Sequence, residues 1–275
     1  MNRLRAMRAG FRNWLLPSLL GYFAISFGER APQLFRPLLD LRFTLRTRQG
    51  PRISARLRDI GPPAEVFGLG EYDDPEFDWG RLRYVIDVGA HIGAFTLWVA
   101  ARAPNCQVLA IEPNPEAIAL LRENLDSAGL GARVTVLEAA VAGVSGQRQF
   151  SVTTMSPSAT LLPVAERSAA RSVAAITLAE AVAGSGFPSV DLLKVDVEGA
   201  EEEIFVNPGL EVLRLVQAVM IECHPPAADR LANLIEPVLD RWGFRVSWRP
   251  KSSHGLLIGR RQSAEQEGRV ANRLA

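Results

Sequence analysis

The sequence predicts an α/β fold in which a mostly parallel sheet is covered by helices on both faces. From residue 82 onward, short apolar runs alternate with segments of helical pattern. The helix boundaries carry typical signals: Asn114 is placed to cap a helix, Pro115 occupies its first position and Gly129 ends it. Near the C terminus, six apolar residues recur at helical spacing between Leu231 and Trp242.

Seven segments are predicted to be strands. In chain order they are RYVIDVG (83–89), QVLAIEP (107–113), RVTVLEAAV (133–141), VDLLKVDVEG (190–199), QAVMIECH (217–224), FRVSW (244–248) and HGLLIGR (254–260). A helix over about residues 94–103 separates the first two and is stopped by Pro104. The last two strands are expected to be neighbours. Residues 151–172, rich in Ser, Thr and Ala, are expected to form a mobile lid over the ligand site.

The first 80 residues differ in pattern from the rest. Residues 40–60 alternate apolar and basic residues around Gly50-Pro51, which predicts a β-hairpin. Residues 61–80 are rich in Gly, Pro and acids and are interpreted as a connecting loop. The uncharged stretch Asn13–Gly28 has 16 residues, short of the ~20 that a spanning helix needs. We therefore expect an N-terminal helix packed on the domain, with a helix lying on an anionic membrane as the alternative.

These patterns divide the chain into three parts: 1–80 with the helix, hairpin and lead-in loop, 81–262 with the α/β domain, and 263–275 as a polar tail. The net charge is only +1, although residues 1–60 hold 12 Arg against three acids. The balance argues against a nucleic-acid partner, and the basic N terminus favours at most weak contact with the inner membrane surface. The two cysteines lack metal-binding spacing, so a reducing, cytoplasmic location is expected.

Carboxylates accompany the ends of four of the first five strands. They are Asp87, Glu112, Asp196 with Glu198, and Glu222. In an open α/β sheet, ligands bind outside the carboxyl ends of the strands, near the switch in strand order. Because like charges repel, such a cluster is a poor way to build a core. A cationic or hydroxyl-rich ligand is therefore expected at this edge.

The turn after the first strand, DVGAHIG, favours one class of ligand. Gly89 and Gly93 are spaced G-x3-G rather than G-x-G-x-x-G, the spacing that lets a helix N terminus receive a pyrophosphate. Asp87 would repel phosphate, whereas a small zwitterion with an amine and a sulfonium suits it. Glu112, 23 residues beyond Gly89, is placed to accept hydrogen bonds from both hydroxyls of a ribose. S-adenosylmethionine is therefore the predicted cofactor.

Two other classes of function stay open at this point. A nicotinamide-dependent oxidoreductase would explain the sheet and Glu112, but the glycine spacing opposes it. A non-catalytic binding module of the same fold would tolerate the loss of the acids at the strand ends, whereas all of them are present.

The segment from Tyr84 to about His224 resembles the FkbM family of S-adenosylmethionine-dependent methyltransferases. The resemblance is carried, in the family's order, by VIDVGAHIGAFTL, VLAIEPNPEAIALLRENL, AAVAGVSGQRQFSV, SATLL, ITLAEAV, LLKVDVEGAEEEIF and VMIECHPP. Of these, KVDVEGAE is the most specific. The sequence departs from the family at His91, where Asn is common, and at Ala179, where Asp is frequent.

The resemblance implies a Rossmann-like, seven-stranded class I methyltransferase sheet whose last strand is antiparallel to the others. It also implies which residues form the cofactor site: Asp87, Gly89, Ala90, Gly93, Glu112, Asn114, Ala140 and Val141. Asp87, Gly89 and Gly93 would surround the methionyl part. Glu112 would bind the ribose with Asn114 beside it, and Ala140 and Val141 would border the adenine. Many family members methylate sugar or polyketide hydroxyls. The resemblance therefore implies O-methylation of a small-molecule or glycan acceptor, on a hydroxyl of a sugar, glycan or secondary metabolite.

A hydroxyl is a poor nucleophile until its proton is removed, so a general base is expected at the strand ends. Glu198, His224 and Asp196 are the predicted catalytic residues, and the usual pKa of histidine near neutral pH favours His224. Lys194 is expected to pair with one of the carboxylates.

Two further expectations concern the same residues. Glu198 is the alternative cap of a helix near Gly199, and Glu201–Glu203 are expected to complement the dipole of that helix. No metal is predicted because no ligand spacing is recognisable, although Asp196, Glu222 and His224 offer suitable ligand atoms.

Overall fold

The computed structural model describes residues 38–47, 50–152, 159–160, 170–206, 209–224, 228–250 and 254–262. The predicted N-terminal helix, the membrane contact attributed to it and the polar tail lie outside the described residues. Most of the predicted lid also lies outside them.

Thirteen strands are present in the described chain. They are β1 (Arg42–Arg46), β2 (Arg52–Arg56), β3 (Tyr84–Val88), β4 (Gln107–Ile111), β5 (Val134–Leu137), β6 (Ala140–Val141), β7 (Gly146–Val152), β8 (Ala159–Thr160), β9 (Ala170–Ile176), β10 (Leu192–Val195), β11 (Ala218–Cys223), β12 (Phe244–Pro250) and β13 (Gly255–Arg261). The helices of the α/β domain are α1 (Ala94–Arg102), α2 (Pro115–Ser127), α3 (Leu178–Gly184), α4 (Glu201–Phe205) and α5 (Ala228–Arg241).

Seven strands form the central sheet, in the order β12-β13-β11-β10-β3-β4-β5. The pairs from β11 to β5 are parallel, and β13 is antiparallel to both β11 and β12. Helices α1 and α2 cover one face of the sheet, whereas α3, α4 and α5 cover the other. Each face of the sheet has its own apolar core. This arrangement confirms the predicted class I methyltransferase sheet, including its antiparallel last strand.

The predicted hairpin is also confirmed, since β1 and β2 pair with Arg42 opposite Arg56. Its buried residue Ile53 shares a core with α1 and α2. The Asn124 side chain of α2 ties the hairpin down through two hydrogen bonds to the backbone of Ser54, of 2.7 and 3.1 Å.

The lead-in predicted as a loop is partly helical, and this prediction was wrong in that respect. Gly61–Pro63 forms a helical turn that continues as a π-type turn over Ala64–Leu69. Proline is tolerated in the first turn of a helix because the backbone N–H groups there have no partner within the helix. The segment buries Val66 and Tyr72 against α1 and thereby directs the chain towards the strand ends.

The middle of the chain forms a second sheet that was not predicted, in the order β6-β9-β7-β8. The predicted third strand, 133–141, is therefore two strands: β5 in the main sheet and β6, which pairs with β9 in the second one. The described ends of the predicted lid, residues 151–152 and 170–172, belong to β7 and β9.

Gly89 marks the switch in strand order, between β3 and its neighbours β4 and β10. Its φ is +75°, and its N–H donates to the carbonyl of Ile111 at 2.9 Å. A Cβ at this position would lie 1.7 Å from the carbonyl oxygen of Asp196. Only glycine therefore allows the turn to pass this close to the end of β10.

We predict that Gly89→Ala destabilises the protein more than Gly129→Ala. Gly129 has a similar φ of +67°, but a Cβ there meets nothing within 4 Å. Both variants carry the same backbone strain, so their difference isolates the collision with Asp196. In chemical denaturation, Gly89→Ala should lose roughly 1–3 kcal/mol more free energy of unfolding than Gly129→Ala. Equal losses would contradict the close approach.

Candidate functional site

The turn between β3 and α1 is built from left-handed backbone. Gly89, His91 and Gly93 have φ values of 75°, 50° and 89°. His91 occupies a conformation that Asn adopts more readily than most residues, which agrees with the family's preference at this position. The turn directs the backbone N–H of His91 to Glu112 Oε2 at 2.8 Å.

Glu112 is held at the end of β4 by two backbone groups. His91 N–H binds one carboxylate oxygen and Asn114 N–H binds the other, both at 2.8 Å. Burial raises the pKa of Glu112 to about 7. A carboxylate has about four acceptor sites, so two bonds leave capacity for the hydroxyls of a ligand. The Asn114 side chain caps α2 by accepting from Glu116 N–H at 3.0 Å, as predicted.

Asp87 lies within β3 and is completely buried. Thr96 Oγ1 donates to it at 2.6 Å, and Lys194 Nζ lies 3.3 Å away. Lys194 also donates to Asp196 Oδ2 at 3.2 Å and to the carbonyl of Gly89 at 3.0 Å. Burial opposes the charge of Lys194, but Asp196 and Asp87 outweigh it and raise the pKa of the amine. The predicted pairing of Lys194 with a carboxylate is confirmed.

The remaining predicted cofactor residues are small and buried. Ala90 follows Gly89 in the turn, and its N–H donates to the carbonyl of Ile111 at 3.0 Å. Ala140 and Val141 form β6, beyond the end of β5 at Leu137. They belong to the second sheet rather than extending the first.

The three predicted catalytic residues lie together beyond β10 and β11. His224 Nδ1 donates to Glu201 Oε1 at 2.9 Å. His224 Nε2 lies 3.5 Å from Glu198 Oε2, 3.6 Å from Glu222 Oε2 and 3.7 Å from Asp196 Oδ1. The imidazole is therefore surrounded by four carboxylates.

This environment corrects three expectations. Burial disfavours a charged His224, but the hydrogen bond to Glu201 and the charges of Asp196 and Glu198 outweigh it and raise the pKa of His224 to about 10, not near neutral. Glu201 is completely buried and binds His224, so it does more than complement a helix dipole. Glu198 does not cap α4, whose N-cap is Ala200.

The pKa values of Asp196 and Glu222 are shifted in opposite directions. Burial opposes ionisation of Asp196, but the charges of Lys194 and His224 outweigh it and lower its pKa. Burial, reinforced by the charge of Asp196, raises the pKa of Glu222 to about 8.

Sequence reasoning missed a group of residues that comes from the lead-in and from the C-terminal strand pair. His254, just before β13, binds Glu71 through a 2.6 Å contact between Nε2 and Oε1. The hydroxyl of Tyr72, in the lead-in, donates a hydrogen bond to Glu222. The rings of His224 and His254 stack with centroids 5.9 Å apart. The available signal was Tyr72, which stands between Glu71 and Asp73 in a Gly-rich segment, whereas no acid stands beside His254 in the sequence.

Acids outnumber bases in this cluster. The arrangement therefore favours binding of a cationic ligand, and its carboxylates can accept a proton from a group bound beside that ligand. Among the described residues, no helix is long and apolar enough to cross a membrane.

Residues 87–246, more than half of the chain, match a family model described as "Methyltransferase FkbM domain". Among curated proteins, methyltransferase sdnD of Sordaria araneosa is 28% identical over 214 residues, which cover 65% of this chain and 82% of sdnD. The hexuronic acid methyltransferase AglP of Haloferax volcanii is 29% identical over 171 residues, which cover 62% of this chain and 65% of AglP.

Among solved structures, the METTL16 methyltransferase domain matches with a TM-score of 0.50 and 14% identity, covering 78% of this chain and 74% of that domain. This likeness concerns the fold alone. The family match includes the strand ends that carry the site. It therefore identifies the family of the chain and argues against a nicotinamide-dependent oxidoreductase. The chain belongs to the FkbM family of methyltransferases.

Proposed function

We propose that this protein transfers the methyl group of S-adenosylmethionine to a hydroxyl of a sugar, a glycan or a secondary metabolite. The observation that carries the proposal is the pair of acidic sites at one edge of the sheet. Glu112 is held ready to accept hydrogen bonds, and Asp196, Glu198 and His224 lie together at the neighbouring strand ends.

The residues present fit the cofactor. When bound, S-adenosylmethionine supplies a methyl group on a cationic sulfonium. Glu112 has acceptor capacity for ribose hydroxyls, and the excess of carboxylates near Lys194 favours a cation. The turn from Gly89 to Gly93 passes close to the end of β10, which leaves its backbone facing the same edge.

The acidic cluster suits the removal of a hydroxyl proton. As the acceptor oxygen bonds to the methyl carbon, the carbon–sulfur bond breaks and its electron pair stays on sulfur. The proton of the hydroxyl must pass to a nearby group, and Glu198 and Asp196 both offer carboxylate oxygens. His224 is held by Glu201 so that Nε2 faces the same place.

The acceptor class is supported by the relatives and by the strand-end chemistry. One relative is named a hexuronic acid methyltransferase, and such acceptors carry hydroxyls. We place the reaction in the cytoplasm, in keeping with two free, buried cysteines, and with at most weak membrane contact through the basic N terminus.

The direct test is incubation of the protein with methyl-labelled S-adenosylmethionine and either uronic-acid oligosaccharides or small-molecule fractions of the source cells. We expect a labelled product whose methyl group survives mild alkali, because an ether resists it and a methyl ester does not. Glu112→Ala should weaken donor binding by roughly 1.5–3 kcal/mol, the range for hydrogen bonds to charged groups.

Glu123→Ala is the matched control, since Glu123 is exposed on α2, the helix that follows Glu112, and pairs with Arg42. Its donor affinity should equal that of the wild type. Label that is lost in alkali would identify a carboxylate acceptor. An absence of donor binding, with or without NAD binding, would remove the proposal.

We further predict that donor affinity depends on pH through Glu112. Since burial raises the pKa of Glu112 to about 7, the carboxyl is protonated below this pH and loses acceptor capacity. A difference of about 1 kcal/mol between a neutral and a charged acceptor is about fivefold in affinity, and about nine-tenths of the carboxyl is protonated at pH 6 and ionised at pH 8, so affinity should rise roughly threefold between these pH values. Calorimetry on Glu112→Gln should show a flatter profile, which separates Glu112 from Glu222 and from Glu65, a lead-in residue whose pKa burial also raises to about 7. Identical profiles would exclude Glu112 as the titrating group.

A further inference from the structure

We infer that Asp196, Glu198 and His224 form a binding site for a divalent cation of the Mg²⁺/Mn²⁺ class, and that this cation holds the acceptor. The ion site follows from the described side chains alone. The role in holding an acceptor rests on the proposed function and gives it a substrate class.

The first argument is the mutual distance of the three ligand atoms. One atom from each residue lies within 4.8 Å of the others, and Nε2 of His224 is 3.5 Å from Glu198 and 3.7 Å from Asp196. Atoms bound about 2.1 Å from one ion lie between about 3 and about 4.2 Å apart, depending on the angle at the metal. The two separations fall inside this range and are long for direct hydrogen bonds.

The second argument is the partner of the other ring nitrogen. Metal-binding histidines almost always donate their second N–H to a carboxylate or carbonyl, which fixes the ring and directs the free nitrogen at the ion. Glu201 is completely buried and accepts from His224 Nδ1 at 2.9 Å. Its second oxygen accepts from Gly199 N–H at 2.9 Å, so the carboxylate itself is fixed.

The third argument is an orphaned oxygen. Asp196 Oδ1, the atom that faces His224, is buried and has no hydrogen-bond partner among the described residues. Oδ2 of the same carboxylate binds Lys194 at 3.2 Å. A buried polar atom without a partner is costly, and an ion at this position would satisfy it.

The choice of ligands indicates the kind of ion. Two of the three ligands are carboxylates, which favour Mg²⁺ or Mn²⁺ over the softer ions that imidazole ligands favour. The side chains of Asp196, Glu198 and His224 are 24%, 31% and 15% exposed, so the site is open on one side. Such ions take about six ligands, which leaves positions for water or for two oxygens of an acceptor. An acceptor with oxygens on adjacent carbons, such as a vicinal diol or a 2-hydroxy acid, would chelate the ion.

The site changes how the hydroxyl would lose its proton. A bound cation lowers the pKa of an oxygen that it coordinates and orients it for attack. The proton then leaves to water or to a carboxylate outside the ion's ligands, and Glu222 lies 3.6 Å from His224 Nε2.

The test uses the full chain, which is treated with EDTA to remove bound metal and then freed of EDTA. Mn²⁺ alone is added to it and its binding is measured. The loss of the electron paramagnetic resonance signal of the free ion measures binding. We expect one saturable site, weakened at least tenfold in Asp196→Asn, Glu198→Gln and His224→Ala. Glu201→Gln should weaken it by roughly 10- to 100-fold, as expected for a residue that orients a ligand.

Glu203→Gln is the control, since Glu203 is an exposed acid of α4 that faces Arg148. It should bind Mn²⁺ like the wild type. The measurement on the wild type tests the site even if a variant does not fold. Circular dichroism shows whether each variant is folded. An absence of saturable binding to the wild type, or equal affinity in all variants, would overturn the proposal.

Calorimetry with S-adenosylmethionine in EDTA, on the same samples, separates the two proposals. Donor binding without Mn²⁺ binding overturns the cation site and leaves the proposed function. Mn²⁺ binding without donor binding supports the cation site and removes the proposed function.

Discussion

The ion pairs of Lys194 are the constraint on which the rest of the site depends. The amine lies inside β10, the strand between β3 and β11, and is almost completely buried. It contacts Asp87 on one strand, Asp196 at the end of its own strand and the carbonyl of Gly89 in the turn. Burying a charge is costly unless it is paired, so each partner requires the others. The amine thus joins the turn from Gly89 to Gly93 to the acidic cluster.

The acidic cluster is assembled from segments that are far apart in the chain. Tyr72 and Glu222 are 150 positions apart, and Glu71 and His254 are 183 positions apart. The lead-in and the C-terminal strand pair therefore close the site on the side away from Glu112. Lys194 and the two imidazoles, whose pKa values the neighbouring carboxylates raise, only partly offset these carboxylates, and a metal ion bound at His224 Nε2 would displace its proton. A site of this kind attracts cations, which suits a sulfonium and a metal ion alike.

Much of the geometry around Glu112 could be predicted from sequence because the relevant signals are local. An apolar run followed by Glu112, and then by Asn114 and Pro115, identifies a strand end and a helix start within a few residues. The parallel pattern then places all such ends at one edge. The same reasoning located Asp196, Glu198 and His224.

The remainder could not be predicted because no local signal reports it. A single apolar run, 133–141, does not show that Ala140 leaves one sheet for another. The prolines at 62 and 63 indicate a loop or a helix start equally well, and only packing decides. Glu201 carries an ordinary helix-start signal, and its burial against His224 depends on how α4 packs on the end of β11.

The measurement that tests this account most directly is the stability of Lys194→Met as a function of pH. Methionine keeps the volume and removes the charge, so the carboxylates of Asp87 and Asp196 are left buried without their cation. Chemical denaturation should show a loss of roughly 3–5 kcal/mol at pH 8, the range for removing one partner of a buried pair. The loss should shrink towards pH 5, because the buried carboxyl of Asp196, whose pKa Lys194 lowers, takes up a proton at higher pH once the amine is gone. A loss below about 1 kcal/mol that does not change with pH would contradict the central role of Lys194.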